Sequence, residues 1–423
     1  MVNLRAAMRV MPAFWFALPI LMLAGWYVTA LYPSDGYGLG ATALGSGALT
    51  FVAAFSAGTA AWEGARLRRS RVWWAPSVRS RVAIAAWSIL PSVLIGFVAL
   101  VGAVGVQLAR SGADMPDLRI LAVSALDLVA WGVVGFTIGI MLPVAAAVPL
   151  ALLLPLIWFA FVPAFYPVWL RHLTGMFRDC CGLGQDLAPA AIAASAVVDL
   201  GIIVAAAILV GGMLAGWRRA AGAAGSIAAA LLVGIALVSN MTYAPVVARD
   251  PALLTCRTAD GLTLCLWPEH AARGDDLSRI AGTVRRGWQQ AGLDAPTLFT
   301  EADQSVAPAG ALAFVLSGPQ TTDDVIRDLV AALVPTPPEC PLGSTGLVAI
   351  GYLGGWYAAA GGMSEGGLKE KYGGWSDGNN PDVEPTIDSL RAASPQARLR
   401  WIENAKYLIA TCDDVVPDLT VAP

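Results

Sequence analysis

Runs of about 20 apolar residues recur through the first 245 positions of the chain and then stop. A helical run of that length matches the ~30 Å hydrocarbon core of a bilayer. Seven spans are read: 13–32, 43–62, 82–108 with a bend near Pro91, 118–141, 145–165, 190–214 and 225–243. Pro33, Ser34, Asp35 and Gly36 separate the first two, and Leu142-Pro143 sets a tight turn after the fourth. The first run competes with a secretory signal peptide, for which Val28-Thr29-Ala30 would be the cleavage site. It is longer than the usual apolar region of such a peptide, which favours an uncleaved anchor.

Beyond residue 245 the apolar positions fall into shorter, periodic segments. Residues 253–257, 262–267 and 311–317 read as strands, and 275–291, 322–333, 347–360 and 394–411 as helices. Thr321-Thr322-Asp323 can cap the second of these helices, and Leu399, Ile402, Tyr407 and Leu408 share one face of the last. The predicted fold class is a polytopic α-helical membrane protein of about seven transmembrane helices followed by an α+β domain. The domains are 1–244, comprising six spans to 217 and a seventh at 225–243, and 245–423.

Composition adds sidedness. The chain is 57% apolar and 13% charged. Residues 1–244 carry 14 Arg and no Lys against 8 acids, whereas 245–423 carry 13 basic and 22 acidic residues. An acidic soluble part argues against nucleic acid as a partner. Basic loops beside spans stay in the cytoplasm. The 62–81 segment holds Arg66, Arg68, Arg69, Arg71, Arg79 and Arg81 against Glu63 alone. Seven spans with a cytoplasmic amino terminus put this hairpin, Arg5, Arg9, Arg218 and Arg219 inside and the carboxy-terminal domain outside, in a plasma-membrane protein. All six cysteines then fall on the oxidising side, where disulfides form. Cys256 and Cys265 flank Asp260-Gly261 and are expected to staple a β-hairpin. Cys340 and Cys412 would close a longer loop, and adjacent Cys180 and Cys181 could pair together, with other cysteines or across a subunit interface.

Enzyme chemistry is sparse. HExxH, GxGxxG and GxxxxGK[ST] are absent. The one GxSxG, around Ser364, has no His after it and reads as a Gly-rich loop. The Glu269-His270 pair could be a base with its orienter, but reads more simply as a surface turn; His172 lies in the loop after the fifth span. The oxygen-rich segment from Asp377 to Glu384 lacks EF-hand spacing and reads as a polar turn, so no metal site is expected. Asp127 and Asp199 are different: both lie inside spans, at matching depths of roughly 12–14 Å from the same face. Such carboxyls line a polar cavity or proton-linked site, or are hydrogen-bonded locally near Ser124 and Ser195. In the arginine hairpin, Trp73 and Trp74 serve either as an interfacial anchor or as the apolar face of a docking helix.

This layout resembles the membrane subunit of ABC exporters of the type-2 permease family. The resemblance lies in a short amino-terminal segment (2–12), a loop between the second and third spans (63–81), and a longer connection between the fifth and sixth (166–189). In that family the first is an interfacial helix, the second carries the coupling helix that contacts the ATPase, and the third is a re-entrant helical hairpin. The resemblance covers residues 1 to about 217 and departs in the seventh span and the added domain. It implies a homo- or heterodimer of permease subunits in membrane lipid, with no catalysis in this chain. ATP and Mg would bind a separate ABC ATPase subunit, held through Glu63, Arg66, Arg68, Arg69, Arg71, Trp73 and Trp74. A membrane-anchored extracytoplasmic binding or sensing protein is the alternative.

Overall fold

Among the described residues, nine helices follow from the apolar runs of the first 245 positions: α1 (Pro12–Trp15), α2 (Ala17–Thr29), α3 (Gly38–Ser46), α4 (Leu49–Arg69), α5 (Arg81–Ser111), α6 (Leu118–Met141), α7 (Val144–Ala160), α8 (Pro189–Gly211) and α9 (Trp217–Val238). The computed structural model describes residues 11–70, 73, 80–211, 216–316, 321–338, 345–372 and 383–412. The chain divides into two units, Met1–Val247 and Ala248–Pro423.

Among the described residues five helices, α5 to α9, are long and apolar enough to cross a membrane, and α3 with α4 makes a sixth if their 44° bend lies within one span. The described residues thus give five or six candidate spans, and a seventh is not confirmed. The first apolar run breaks at Phe16 and leaves α2 with 13 residues, about 20 Å of helix. Local chemistry sets the ends of the long helices. The Ser80 hydroxyl accepts from Ala83 N to start α5, and Gly112 closes it at φ 67°. The Asp117 carboxylate accepts from Arg119 N and Ile120 N to start α6, which stops just before Pro143.

Within this unit α4 packs along α6 through small residues. A Cβ on Gly135 would collide with the backbone of Ala57, one on Gly139 with that of Ala61, and one on Gly64 with that of Phe136. Gly135 and Gly139 thus form a GxxxG seam of the kind that lets helices approach without side chains between them. The 161–188 connection holds two short 3-10 turns, Val162–Ala164 and Val168–Leu173, rather than the helical hairpin that the family resemblance implied. It is a packed plug whose Arg171, His172, Leu173, Thr174 and Phe177 are buried. It ends in β1 (Gln185–Leu187), which pairs with β2 (Val246–Ala248).

The second unit is built on β3 (Thr255–Ala259), β4 (Leu262–Leu266), β5 (Leu298–Thr300) and β6 (Leu312–Ala313), adjacent in that order. β3 and β4 are antiparallel and place Cys256 opposite Cys265, which are disulfide-bonded. Asp260 and Gly261 make the turn with φ 49° and 70°, the left-handed pair that a two-residue hairpin demands. β5 and β6 run parallel to β4, with α10 (Gly274–Gln290) as the β4–β5 crossover. Helices α11 (Thr322–Ala331), α12 (Thr345–Ala360), α13 (Glu365–Tyr372), α14 (Val383–Ala392) and α15 (Pro395–Thr411) complete it. Its core gathers Trp288, Phe299, Trp356, Leu390 and Leu408. The strands and helices expected from periodicity are present, with 311–317 shortened to β6; β5, α13 and α14 are additional.

Candidate functional site

The matched depths of Asp127 on α6 and Asp199 on α8 bring the two carboxyls together. They lie close enough to interact electrostatically, both nearly fully buried. Among the described residues neither oxygen of Asp127 has a hydrogen-bond partner. Ser195, expected nearby, instead donates to the backbone carbonyls of its own helix, and Ser124 is buried on α6. The plug closes over the pair at Gly175, where φ is +70° and an added Cβ would lie 2.5 Å from Asp127 Oδ2. Only glycine fits there. Two carboxylates side by side in a low-dielectric interior repel, so such a pair is a place that accepts positive charge, a shared proton or a small cation.

The plug is tied to its surroundings by polar contacts. Arg171 pairs with Asp179 and lies 3.6 Å over the ring of Tyr243. His172 Nε2 meets Thr242 O at 2.8 Å, and burial pushes its imidazole below the ordinary range. Arg119, beside the start of α6, bridges Asp117 and Asp186 at 2.8 and 2.7 Å. Cys180 and Cys181 are bonded to each other, which selects one of the alternatives left open.

At the arginine end, Glu63 is buried on α4 and ion-paired with Arg66 at 2.5 Å. Trp73 is buried against Phe136 in an edge-on contact, with the Arg81 guanidinium 6.0 Å from its ring. It therefore packs into the bundle and does not offer a free docking face. Arg69 is exposed and Arg68 half-buried. Arg71 and Trp74 lie outside the described residues, as does Cys340; Cys412, its expected partner, is not a free thiol. Most of the Asp377 to Glu384 segment lies outside them too, and Glu384 falls in the first turn of α14.

The second unit resolves the two enzyme-like motifs. Ser364 is a helix cap: its hydroxyl accepts from Gly367 N at 3.0 Å and donates to Asp323 Oδ2 at 2.5 Å. His270 does not pair with Glu269. Its Nδ1 sits 2.5 Å from Oε1 of buried Glu301, whose Oε2 accepts from Trp267 N at 2.8 Å. Glu269 is taken by Arg249, which also stacks over Trp267 at 4.5 Å. These are locks on the β4–α10 connection. Glu301 escaped sequence reading, and Asp323 was read only as part of a helix start, because their partners lie 31 and 41 positions away. Gly175 and the GxxxG seam did carry local signals, a loop glycine and an i, i+4 glycine pair. Among the described residues no group of three or more His, Cys, Asp or Glu side chains converges as a metal site requires.

A family model described as a domain of unknown function (DUF7224) matches residues 264–412, from β4 to the end of α15. No curated protein and no solved structure matches the chain at a significant level.

Proposed function

We propose that this chain is the membrane-spanning permease subunit of an ATP-driven ABC exporter. The observation that carries the reading is the buried Asp127–Asp199 pair beneath Gly175. A helical anchor has no need of two unsupported carboxyls inside its bundle, whereas a translocation machine uses such groups on its substrate or proton path. In this reading the arginine hairpin 63–81 faces the cytoplasm and receives a separate ATPase subunit, which holds ATP and Mg. A second permease subunit, identical or not, lines the other side of the path. The carboxy-terminal unit stands outside the cell membrane and captures or hands on the exported molecule. Nucleotide-driven closure of the ATPases would switch the bundle between inward- and outward-facing states.

A second reading, a membrane-anchored extracytoplasmic binding or sensing protein, draws support from the family-model match, which lies wholly within the carboxy-terminal unit. Affinity purification of the full chain from its native membrane separates the two. The exporter reading expects a co-purifying ATPase that is lost on charge reversal of Arg68, Arg69 and Arg71 to Glu. A preparation without any ATPase, unchanged by the reversal, would sink it.

A further inference from the structure

A cavity lies at the arginine end of the helical unit, away from the acid pair. It has a volume of about 380 Å³ and is lined by Arg68 of α4, Arg81 of α5 and Arg219 of α9, with Thr137, Trp73 and Val210 among the walls. The two helices of the arginine hairpin and one much later in the chain thus bring three arginines around one space. The choice among neighbouring arginines is selective. Arg68 and Arg219 are half-buried and line the cavity, while Arg69 and Arg218 beside them are exposed and do not.

Among the described residues no acid lines this cavity. The one acid of the hairpin, Glu63, is buried and held by Arg66. Among the described residues neither Arg68 nor Arg81 has a carboxylate within ion-pair distance, and Arg81 instead rests toward the face of Trp73. Like charges gathered in a half-buried space repel, and an anion placed between them relieves that repulsion. Guanidinium forks match the oxygens of a phosphate group in a bidentate manner. The volume suits a small headgroup rather than a bare ion, and the walls are apolar apart from Thr137 and the arginines. Basic pockets between helix ends at a bilayer surface have this character when they hold acidic lipid.

We propose that this cavity binds a phosphate-bearing anion, taken either from an anionic phospholipid headgroup or from soluble phosphate. The arginines hold the phosphate oxygens, and Trp73 and Val210 face the less polar part of the ligand; the Thr137 hydroxyl, which donates to Val133 O at 2.7 Å, can only accept. The inference needs only a helical unit in lipid and does not rest on the exporter reading.

The test uses the full chain. Native mass spectrometry of the detergent-solubilised protein compares dioleoylphosphatidylglycerol with dioleoylphosphatidylcholine as added lipid. Inorganic phosphate is titrated calorimetrically into the protein in phosphatidylcholine nanodiscs. Retention of phosphatidylglycerol over phosphatidylcholine by at least about tenfold, lost in Arg68→Gln/Arg81→Gln, is expected for a lipid headgroup. Phosphate binding heat that the same double variant abolishes assigns the site to soluble phosphate. Arg68→Lys/Arg81→Lys keeps the charge without the fork and should recover part of the binding, which separates lost recognition from a damaged fold. Absence of preference for either probe, or a preference unchanged in the Gln variant, overturns the proposal.

Discussion

The two units hold themselves together by opposite means. In the helical unit the closest seam, α4 on α6, is made by Gly135 and Gly139 against the backbone of Ala57 and Ala61. In the carboxy-terminal unit the core is made by bulk: Trp267, Trp288 and Phe299 are all fully buried. The contrast follows from the solvent each is built for. Among lipid tails, burying a large apolar side chain gains little, so helices associate where backbones can touch. In water, each large side chain withdrawn from solvent contributes on the order of 1.5–3 kcal/mol, and small units need several of them. Adding volume should therefore hurt one unit and removing it should hurt the other.

The largest expected effect is at Trp288, whose indole N–H also donates to Tyr357 O at 2.9 Å. Trp288→Ala should destabilise the carboxy-terminal unit by about 3–5 kcal/mol, read from its thermal or denaturant unfolding in the full chain. Gly139→Leu is the mirror experiment. It should destabilise the helical unit by about 1–3 kcal/mol and leave the unfolding of the other unit unmoved. If Gly139→Leu proves harmless in lipid, the small-residue seam is not what joins α4 to α6. Ser364→Ala removes a cap and should cost about 0.5–2 kcal/mol.

The smallest effect expected is one of pH. The Thr321 hydroxyl, chiefly, with the backbone N–H of Thr321 and Lys371, holds the Asp324 carboxylate down to about 2 from an ordinary 3.8. Its folded value lies below its unfolded one, so its contribution is complete above pH ~4 and disappears as pH falls through about 2. Asp324→Asn should flatten the dependence of the thermal midpoint on pH within that window only. An unchanged profile would mean that the capping box of α11 does not survive in solution.

Much of this architecture was legible in the sequence, because span length and cap chemistry are local. The fourth span was read at the bounds of α6, and the fifth and sixth near those of α7 and α8. Where reading and structure part, the cause is identifiable. The seventh span was placed after Arg218 and Arg219, yet α9 begins at Trp217 and carries both arginines in its first turn, where long basic side chains can reach a polar surface. The first and second runs were read as whole spans, but one breaks at Phe16 and the other bends by 44° between α3 and α4. Of the site, the depth of Asp127 and Asp199 could be counted along the chain. That α6 and α8 turn those faces toward each other depends on helix packing, which no single run encodes. The Glu269-His270 adjacency pointed the wrong way for a related reason: a buried histidine takes its partner from whichever strand end lies beside it, here Glu301.

The glycine seam has a mechanical corollary. Helices interlocked backbone to backbone cannot ratchet past one another without lifting apart, so α4 and α6 make a stiff post. One end of that post bears Arg68, and its flank bears Asp127. A load applied at the guanidinium end would reach the carboxyl as tilting of the whole post, with little lost to slippage on the way.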